Sequence, residues 1–491
     1  MRAGRAGAVV RHLGVALLLG LAAAGGAPAA AQQTAVVPTG MAEVRLSFAP
    51  VVKKVAPAVV NIYAARKVVV RSPLFADPFF QRFLGRDFAF GMPRERIERS
   101  LGSGVLVRED GLVVTNTHVI GEADVIRVVL ADRREFDAQV LLADKRTDLA
   151  VLRLKVEGDV RFPVVPLGDS DAVEVGDIVL AIGNPFGIGQ TVTSGIISAT
   201  ARTNIGTSDF GFYLQTDAAI NPGNSGGALV GLDGRLVGIN AAIFSRTGES
   251  AGIGFAIPVN MVKAVLMAAT HGGELVRNWL GAAYQPVTPD LAEALGLDRP
   301  GGVLVRMLAA DGPGARAGLS EGDVIIAVNG HEVLDEAALK FRLATYPAGS
   351  RVTLTILREG RKLELPVVLE PLPDAPPPEP TTLKGRNPFQ GVTFGNLSPR
   401  LADRLGIDPL TRGVVVLKVD PRAPAAQLGW LRPGDIVEQA AGRDIRSVAD
   451  LAALDEQEGW DRWPFRVRRG RERLACVVYR SGAVDCRSGP I

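Results

Sequence analysis

Ser225 lies among glycines, in Gly223-Asn224-Ser225-Gly226-Gly227. A serine hydroxyl is a weak nucleophile, so it needs a positioned base and donors for the oxyanion formed on attack. The flanking glycines let the backbone turn sharply enough for the amides of Gly223 and Ser225 to face one oxygen. Such a turn is also common as plain structure. The available bases are His12, His118, His271 and His331. His12 falls in an amino-terminal apolar segment, His331 in the turn-like Asn329-Gly330-His331-Glu332, and His271 just before Gly272-Gly273. His118 ends the strand-like run Val113-Val114-Thr115-Asn116-Thr117-His118. Asp148, in Asp144-Lys145-Arg146-Thr147-Asp148-Leu149, enters another strand, where its carboxylate could fix an imidazole tautomer and stabilise the imidazolium. Taken singly, His118 reads as a structural histidine and Asp148 as a turn residue.

Other chemistries find less support. Neither Cys476 nor Cys486 neighbours a histidine motif, and the chain contains no His-Glu-x-x-His. No metal and no cofactor are expected. The two cysteines flank Ser481-Gly482 in a hairpin-like stretch, a candidate disulfide in an oxidising compartment, with two free thiols as the alternative.

The elements that would position these residues are mostly strands. From Val55 to Ile257, short β-rich runs alternate with turn residues: Val59–Tyr63, Gly104–Val107, Leu112–Thr115, Val125–Leu130, Leu149–Leu154 and Ile178–Ile182. That density predicts an antiparallel barrel or sandwich, with room for two small barrels. Apolar Met261, Val262, Val265 and Leu266 then predict a helix over 258–270. Beyond it the chain repeats itself. Gly302-Val303-Leu304-Val305 followed by Gly322-Asp323 returns as Gly413-Val414-Val415-Val416 followed by Gly434-Asp435, which predicts two related modules. A proline-rich tract from Pro371 to Pro380 joins them as an extended, semi-rigid linker.

The amino end reads as an export signal. Arg2, Arg5 and Arg11 precede an apolar run from Leu13 and then Ala29-Ala30-Ala31, the order of a signal peptide with a small-residue cleavage site. An uncleaved anchor, with membrane association, is the alternative. Removing those three arginines takes the net charge from +3 to zero, so nothing favours nucleic acid as a partner. Between Pro73 and Gly91, six phenylalanines interleave with charges, either a packed satellite core or a contact surface for a client.

As a set, the residues resemble the HtrA (Do/DegP-like) branch of the chymotrypsin-fold proteases. The resemblance rests on Thr115-Asn116-Thr117-His118-Val119, Asp148-Leu149-Ala150-Val151, Gly223–Gly227, Ala181–Gly187, Gln215–Asn221 and Gly252–Pro258. It implies a mainly β chain: a chymotrypsin-like double β-barrel protease domain followed by two PDZ domains. The expected division is signal peptide 1–31, protease domain 32–270 with an insertion at about 66–100, first PDZ domain 274–370, linker 371–383 and second PDZ domain 384–482. It implies that Ser225 attacks, His118 moves the proton and Asp148 orients the ring, with Gly223-Asn224-Ser225 as the oxyanion segment. Ile253 and Gly254 would shape the pocket for the residue before the cleaved bond. Trp279-Leu280-Gly281-Ala282 and Phe389-Gln390-Gly391-Val392 would be the loops that take peptide carboxylates. The implied protein is an exported, periplasmic endopeptidase of unfolded or misfolded proteins, regulated by carboxyl-terminal peptides and built as a homotrimer or multiples of it. A periplasmic chaperone with secondary proteolysis and a membrane-anchored regulatory protease are the competing expectations.

Overall fold

A computed structural model gives the architecture and describes residues 47–70, 94–184, 189–203, 211–221, 223–243, 252–297, 299–455 and 459–490. The expected signal segment 1–31 and the phenylalanine-rich stretch Phe75 to Phe90 lie outside the described residues.

Among the described residues, the first half forms two closed six-stranded barrels. The first comprises β1 (Val59–Val70), β2 (Arg94–Arg108), β3 (Leu112–Asn116), β4 (Val125–Val129), β5 (Glu135–Asp144) and β6 (Leu149–Leu154), in the order β1-β2-β3-β6-β5-β4. The second comprises β7 (Ile178–Gly183), β8 (Thr191–Arg202), β9 (Tyr213–Thr216), β10 (Ala228–Gly231), β11 (Leu236–Ile243) and β12 (Gly254–Pro258), in the order β10-β11-β12-β9-β8-β7. Strand β3 is buried at every position, as its unbroken Leu-Val-Val-Thr-Asn run requires, whereas β4 alternates because one face meets solvent. The helix Val259–His271 lays Val259, Met261, Val262, Val265 and Leu266 on the barrels and stops at Gly272. Its bounds lie within one residue of the expected 258–270.

Two smaller sheets follow. In the first, β14 (Ala282–Pro286), β15 (Val303–Leu308), β16 (Val324–Val328), β18 (Arg351–Arg358) and β19 (Arg361–Val368) pair in that order, β17 (His331–Glu332) adds to β16, and β13 (Asn278–Trp279) pairs with β20 (Glu370–Pro371). The second runs β21 (Thr381–Thr382), β22 (Val392–Asn396), β23 (Val414–Val419), β24 (Ile436–Ala440), β26 (Arg462–Arg469), β27 (Glu472–Tyr479) and β28 (Val484–Pro490), with β25 (Arg443–Asp444) on β24. In each module a buried aspartate at the repeated Gly-Asp receives a two-pronged arginine. Arg358 binds Asp323 at 2.6 and 2.7 Å, and Arg469 binds Asp435 at 2.8 and 2.7 Å.

Two boundaries differ from expectation. The linker contributes strands at both ends, and its β-branched Thr381-Thr382 joins the second sheet before residue 384. That sheet also continues past 482, because β28 pairs with β27 along its whole length. Cys476 and Cys486 stand opposite each other in this pairing and are joined by a disulfide.

Candidate active site

The register of β3 against β6 sets Asn116 opposite Leu149, which brings the ends of two strands together. His118 follows in the one-turn helix Thr117–Ile120, and Asp148 in the turn before β6. Thr117 clamps the two segments. Its amide donates to the Asp148 carbonyl at 3.1 Å, and its hydroxyl donates to the carbonyls of Leu149 at 2.9 Å and Asp144 at 3.2 Å. Asn116 Nδ2 adds a bond to the Asp148 carbonyl at 3.0 Å.

Within that clamp Asp148 takes two bonds from one residue. The His118 amide donates to Oδ1 at 3.0 Å, and His118 Nδ1 lies 2.7 Å from Oδ2. Because a carboxylate only accepts, this contact puts a proton on Nδ1 and leaves Nε2 as the basic nitrogen of the neutral ring. The His118 side chain is 48% exposed and that of Asp148 only 16%, so the basic ring is open to a substrate while its partner is sheltered. Asp148 pays for this aim with a left-handed backbone, φ +54°.

Ser225 arrives from the second barrel, in a turn with Gly223 at φ +104° and Gly226 at φ +81°. Asn224 donates its amide to the Asn221 carbonyl at 3.0 Å, and Gly227 donates to the Asn224 carbonyl at 2.9 Å. Asn224, expected in the oxyanion segment, therefore has its amide committed inside the turn. The amides of Gly223 and Ser225 meet no acceptor among the described residues. Ser225 Oγ donates to the Ala241 carbonyl at 3.3 Å, and among the described residues no hydrogen bond joins it to His118. Rotation about one side-chain bond separates this hydroxyl from a different aim.

The two barrels are pinned at this point by residues that sequence reasoning missed. Ser103, buried in β2, donates its amide to the Ser225 carbonyl at 2.8 Å and its hydroxyl to the Gly223 carbonyl at 2.6 Å, and accepts the Asn184 amide at 2.8 Å. Thr115 Oγ1 in turn donates to the Ser103 carbonyl at 2.7 Å. Asn240 holds the far side, accepting the Gly226 amide at 2.8 Å and donating its own to Gly227 at 2.9 Å. The available signal was small and polar residues inside otherwise apolar strands: Gly102-Ser103-Gly104, Thr115 and Asn240.

Gly254 opens β12 opposite Ile243, two residues beyond the Ala241 that receives Ser225 Oγ. A Cβ there would sit 2.8 Å from Ile220 Cδ1, so the strand passes close beneath the segment leading to Ser225. Ile253 precedes it, half-buried against the barrel core.

The two expected carboxylate loops differ. In the first, Leu280 is fully buried in the module's core, Gly281 has φ +75°, and Ala282 begins β14, which among the described residues pairs only with β15 and so ends the sheet. Trp279 lies just before it in β13. In the second, Phe389 is buried against Phe394 and Phe465, Gln390 is exposed, and Gly391 has φ +77°. Here the edge is taken. Thr381 and Thr382 pair antiparallel with Phe394 and Thr393, the Leu383 amide donates to the Val392 carbonyl at 3.1 Å, and the Gly391 amide donates to the Leu383 carbonyl at 2.9 Å.

Among the described residues no group of three or more His, Cys, Asp or Glu is placed to hold a metal ion, and no helix is long and apolar enough to cross a membrane.

Comparison with known proteins agrees with this layout. Residues 102–239 match the trypsin-like peptidase domain, and residues 279–369 and 415–459 each match the PDZ domain. The chain is 37% identical over 461 residues to the periplasmic serine endoprotease DegP of Salmonella typhimurium (strain LT2), covering 90% of this chain and 93% of that one. It is 38% identical over 471 residues to a probable periplasmic serine endoprotease, DegP-like, of Halomonas elongata, covering 91% and 93%. Among solved structures, a serine-to-alanine variant of the HtrA-type protease AlgW with a decapeptide aligns at 44% identity and a TM-score of 0.50, over 68% of this chain and 99% of that one.

Proposed function

The chain belongs to the HtrA family of DegP-like serine endoproteases, and from that premise we propose that Ser225, His118 and Asp148 are the catalytic triad of a periplasmic protease of unfolded proteins. The observation that carries this reading is the bond from His118 Nδ1 to Asp148 Oδ2 at 2.7 Å, in a domain whose Ser225 turn offers two amides that meet no acceptor among the described residues.

The chemistry follows from these positions. Ser225 Oγ rotates from Ala241 toward His118 and attacks the peptide carbonyl, while Nε2 takes its proton. Asp148 steadies the imidazolium that forms, because a charge beside Nδ1 favours the protonated ring. The carbonyl oxygen becomes an oxyanion facing the amides of Gly223 and Ser225. His118 then returns the proton to the leaving amine as the carbon–nitrogen bond breaks, leaving an ester on Ser225. Water, deprotonated by His118, releases the second product and restores the hydroxyl. Ile253 and Gly254 border the pocket for the residue before the cleaved bond, and the family likeness fits modest aliphatic side chains there.

The first PDZ module supports regulation by peptides with free carboxyl ends. Its β14 edge can accept an added strand, and a decapeptide accompanies the similar solved AlgW structure. The assembly fitting this family reading is a homotrimer or a multiple of it.

The test is the orienting acid. Asp148→Asn should keep the fold yet reduce turnover of a denatured protein by about 10³-fold or more, since an amide favours the wrong tautomer of His118. Undiminished turnover would show that Asp148 does not orient the base.

A further inference from the structure

The turn that carries Asp148 is also held from outside the barrels. Residues 145–148 close the β5–β6 hairpin, and a left-handed acid at their end persists only where its surroundings over-determine it. Thr117 and Asn116 fasten the inner side. On the outer side Arg146, two residues before Asp148, reaches Asp403 in the helix Pro399–Arg404 of the second PDZ module. Arg146 Nη1 donates to Asp403 Oδ2 at 2.5 Å and to its carbonyl at 3.1 Å, and Nη2 donates to Oδ1 at 3.2 Å.

The same carboxylate gathers a second arginine. Arg277, just before β13 of the first module, donates Nη1 to Asp403 Oδ2 at 2.7 Å and Nη2 to Asp144 Oδ1 at 3.5 Å. Asp144 Oδ1 also accepts the Arg146 amide at 2.9 Å. The four side chains are sheltered, at 10% exposure for Asp144, 14% for Asp403, 18% for Arg277 and 20% for Arg146. Burial alone would push the Asp403 carboxyl up, but the bonds and charges of Arg146 and Arg277 hold it below the usual carboxylate range. Losing one partner of so sheltered a group leaves the others uncompensated, unlike an exposed pair such as Arg404 with Glu274, whose side chains are 56% and 73% exposed.

We propose that Asp403 is a positioning residue for peptide hydrolysis: by anchoring Arg146 it fixes the turn that aims Asp148 at His118. The second PDZ module thus contributes to the triad through one carboxylate, and removing that carboxylate frees the turn. The inference rests on the triad reading above.

The experiment compares full-length wild type with Asp403→Ala, Asp403→Glu, Arg146→Met, the Arg146→Met/Asp403→Ala double variant and Arg404→Ala, on a short fluorogenic peptide. Asp403→Ala should lower kcat about ten-fold with KM within about two-fold, because small misplacements of a catalytic group cost rate rather than binding. The acid limb of its rate profile should move to lower pH, since a loosened Asp148 stabilises the imidazolium less. Asp403→Glu should recover part of the rate, and Arg404→Ala should match wild type within about two-fold. Arg146→Met should lose about as much rate as Asp403→Ala, and the double variant no more than the weaker single, because both reach the Asp148 turn through the Arg146–Asp403 linkage. An Asp403→Ala enzyme with wild-type kcat and acid limb would overturn the proposal. So would a loss of rate with an unmoved pH profile and proportionately fewer titratable active sites, which means misfolding alone. If wild-type hydrolysis instead survives Ser225→Ala, the triad reading itself has failed.

Discussion

Gly226 shows how little freedom the Ser225 turn has. A Cβ at this position would stand 2.1 Å from the Ser103 carbonyl oxygen and 2.4 Å from Thr115 Oγ1, at a φ of +81° that side chains rarely adopt. Gly226→Ala must therefore separate Ser225 from β2 or bend the turn. The conformational strain is about 1–2 kcal/mol and the overpacking about 1–3 kcal/mol. The expected outcome is a fall in denaturation midpoint together with at least a hundred-fold loss of turnover, roughly the effect of an ångström of misplacement. Wild-type activity from a stably folded Gly226→Ala would show that the turn tolerates displacement. At this scale the sequence was legible in part. The glycines around Ser225 announced a tight turn, and family motifs singled out His118 and Asp148. Nothing in their spacing could show that the Ser225 hydroxyl rests on Ala241, because a rotamer is decided by neighbours brought in from β11. Nor could Arg146 be paired with Asp403, whose partnership spans 257 residues of chain.

At the scale of elements, runs rich in valine, isoleucine and leucine announced their strands. Val59–Tyr63, Leu112–Thr115, Leu149–Leu154 and Ile178–Ile182 all lie within observed strands of the barrels. Strands that stay half-solvated were harder to read. In β5, Glu-Phe-Asp-Ala-Gln-Val-Leu-Leu-Ala-Asp holds one buried residue, and in β8 the pattern is broken by Ser194 and Gly195. The linker strand Thr381–Thr382 was illegible because two threonines after prolines carry no periodicity. Its consequence is large. Leu383 is buried, which contributes about 1.5–3 kcal/mol, and its carbonyl already takes the amide that a bound carboxylate would need. Peptides with free carboxyl ends should therefore bind with a stoichiometry of one per chain, at the open β14 edge, in calorimetric titration of Ser225→Ala protein. Two sites per chain would mean that the linker strand yields readily to ligand.

At the scale of the molecule, the barrels and the first module share a packed surface. Phe341, in the helix Glu336–Ala344, stacks on Phe212 at a centroid distance of 4.0 Å, and Arg342 lies over both rings while binding Asp171. Phe212 begins the approach to β9, whose partner β12 starts at Gly254, so paired strands connect this packed surface to the segment proposed to border the substrate. A ligand that favours one arrangement raises activity only by its differential affinity, and ten-fold stimulation needs about 1.4 kcal/mol. Free-carboxyl peptides should stimulate cleavage of a small substrate and their amidated forms should do so less, as initial rates against peptide concentration will show. Equal stimulation by both forms would remove carboxylate recognition from the account. Leu280 is a poor place to probe it, because it belongs to the module's core.

The central claim is that one serine, activated by His118 and Asp148, performs the hydrolysis, and a fluorophosphonate that reacts with activated serines tests it most directly. The protein is treated with the reagent, digested and weighed by mass spectrometry, while residual cleavage of denatured casein is followed in parallel. The account predicts one adduct, on the peptide containing Ser225, forming in step with loss of cleavage and failing to form in His118→Ala. An adduct at another serine, or casein cleavage that persists after Ser225 is fully modified, would contradict it.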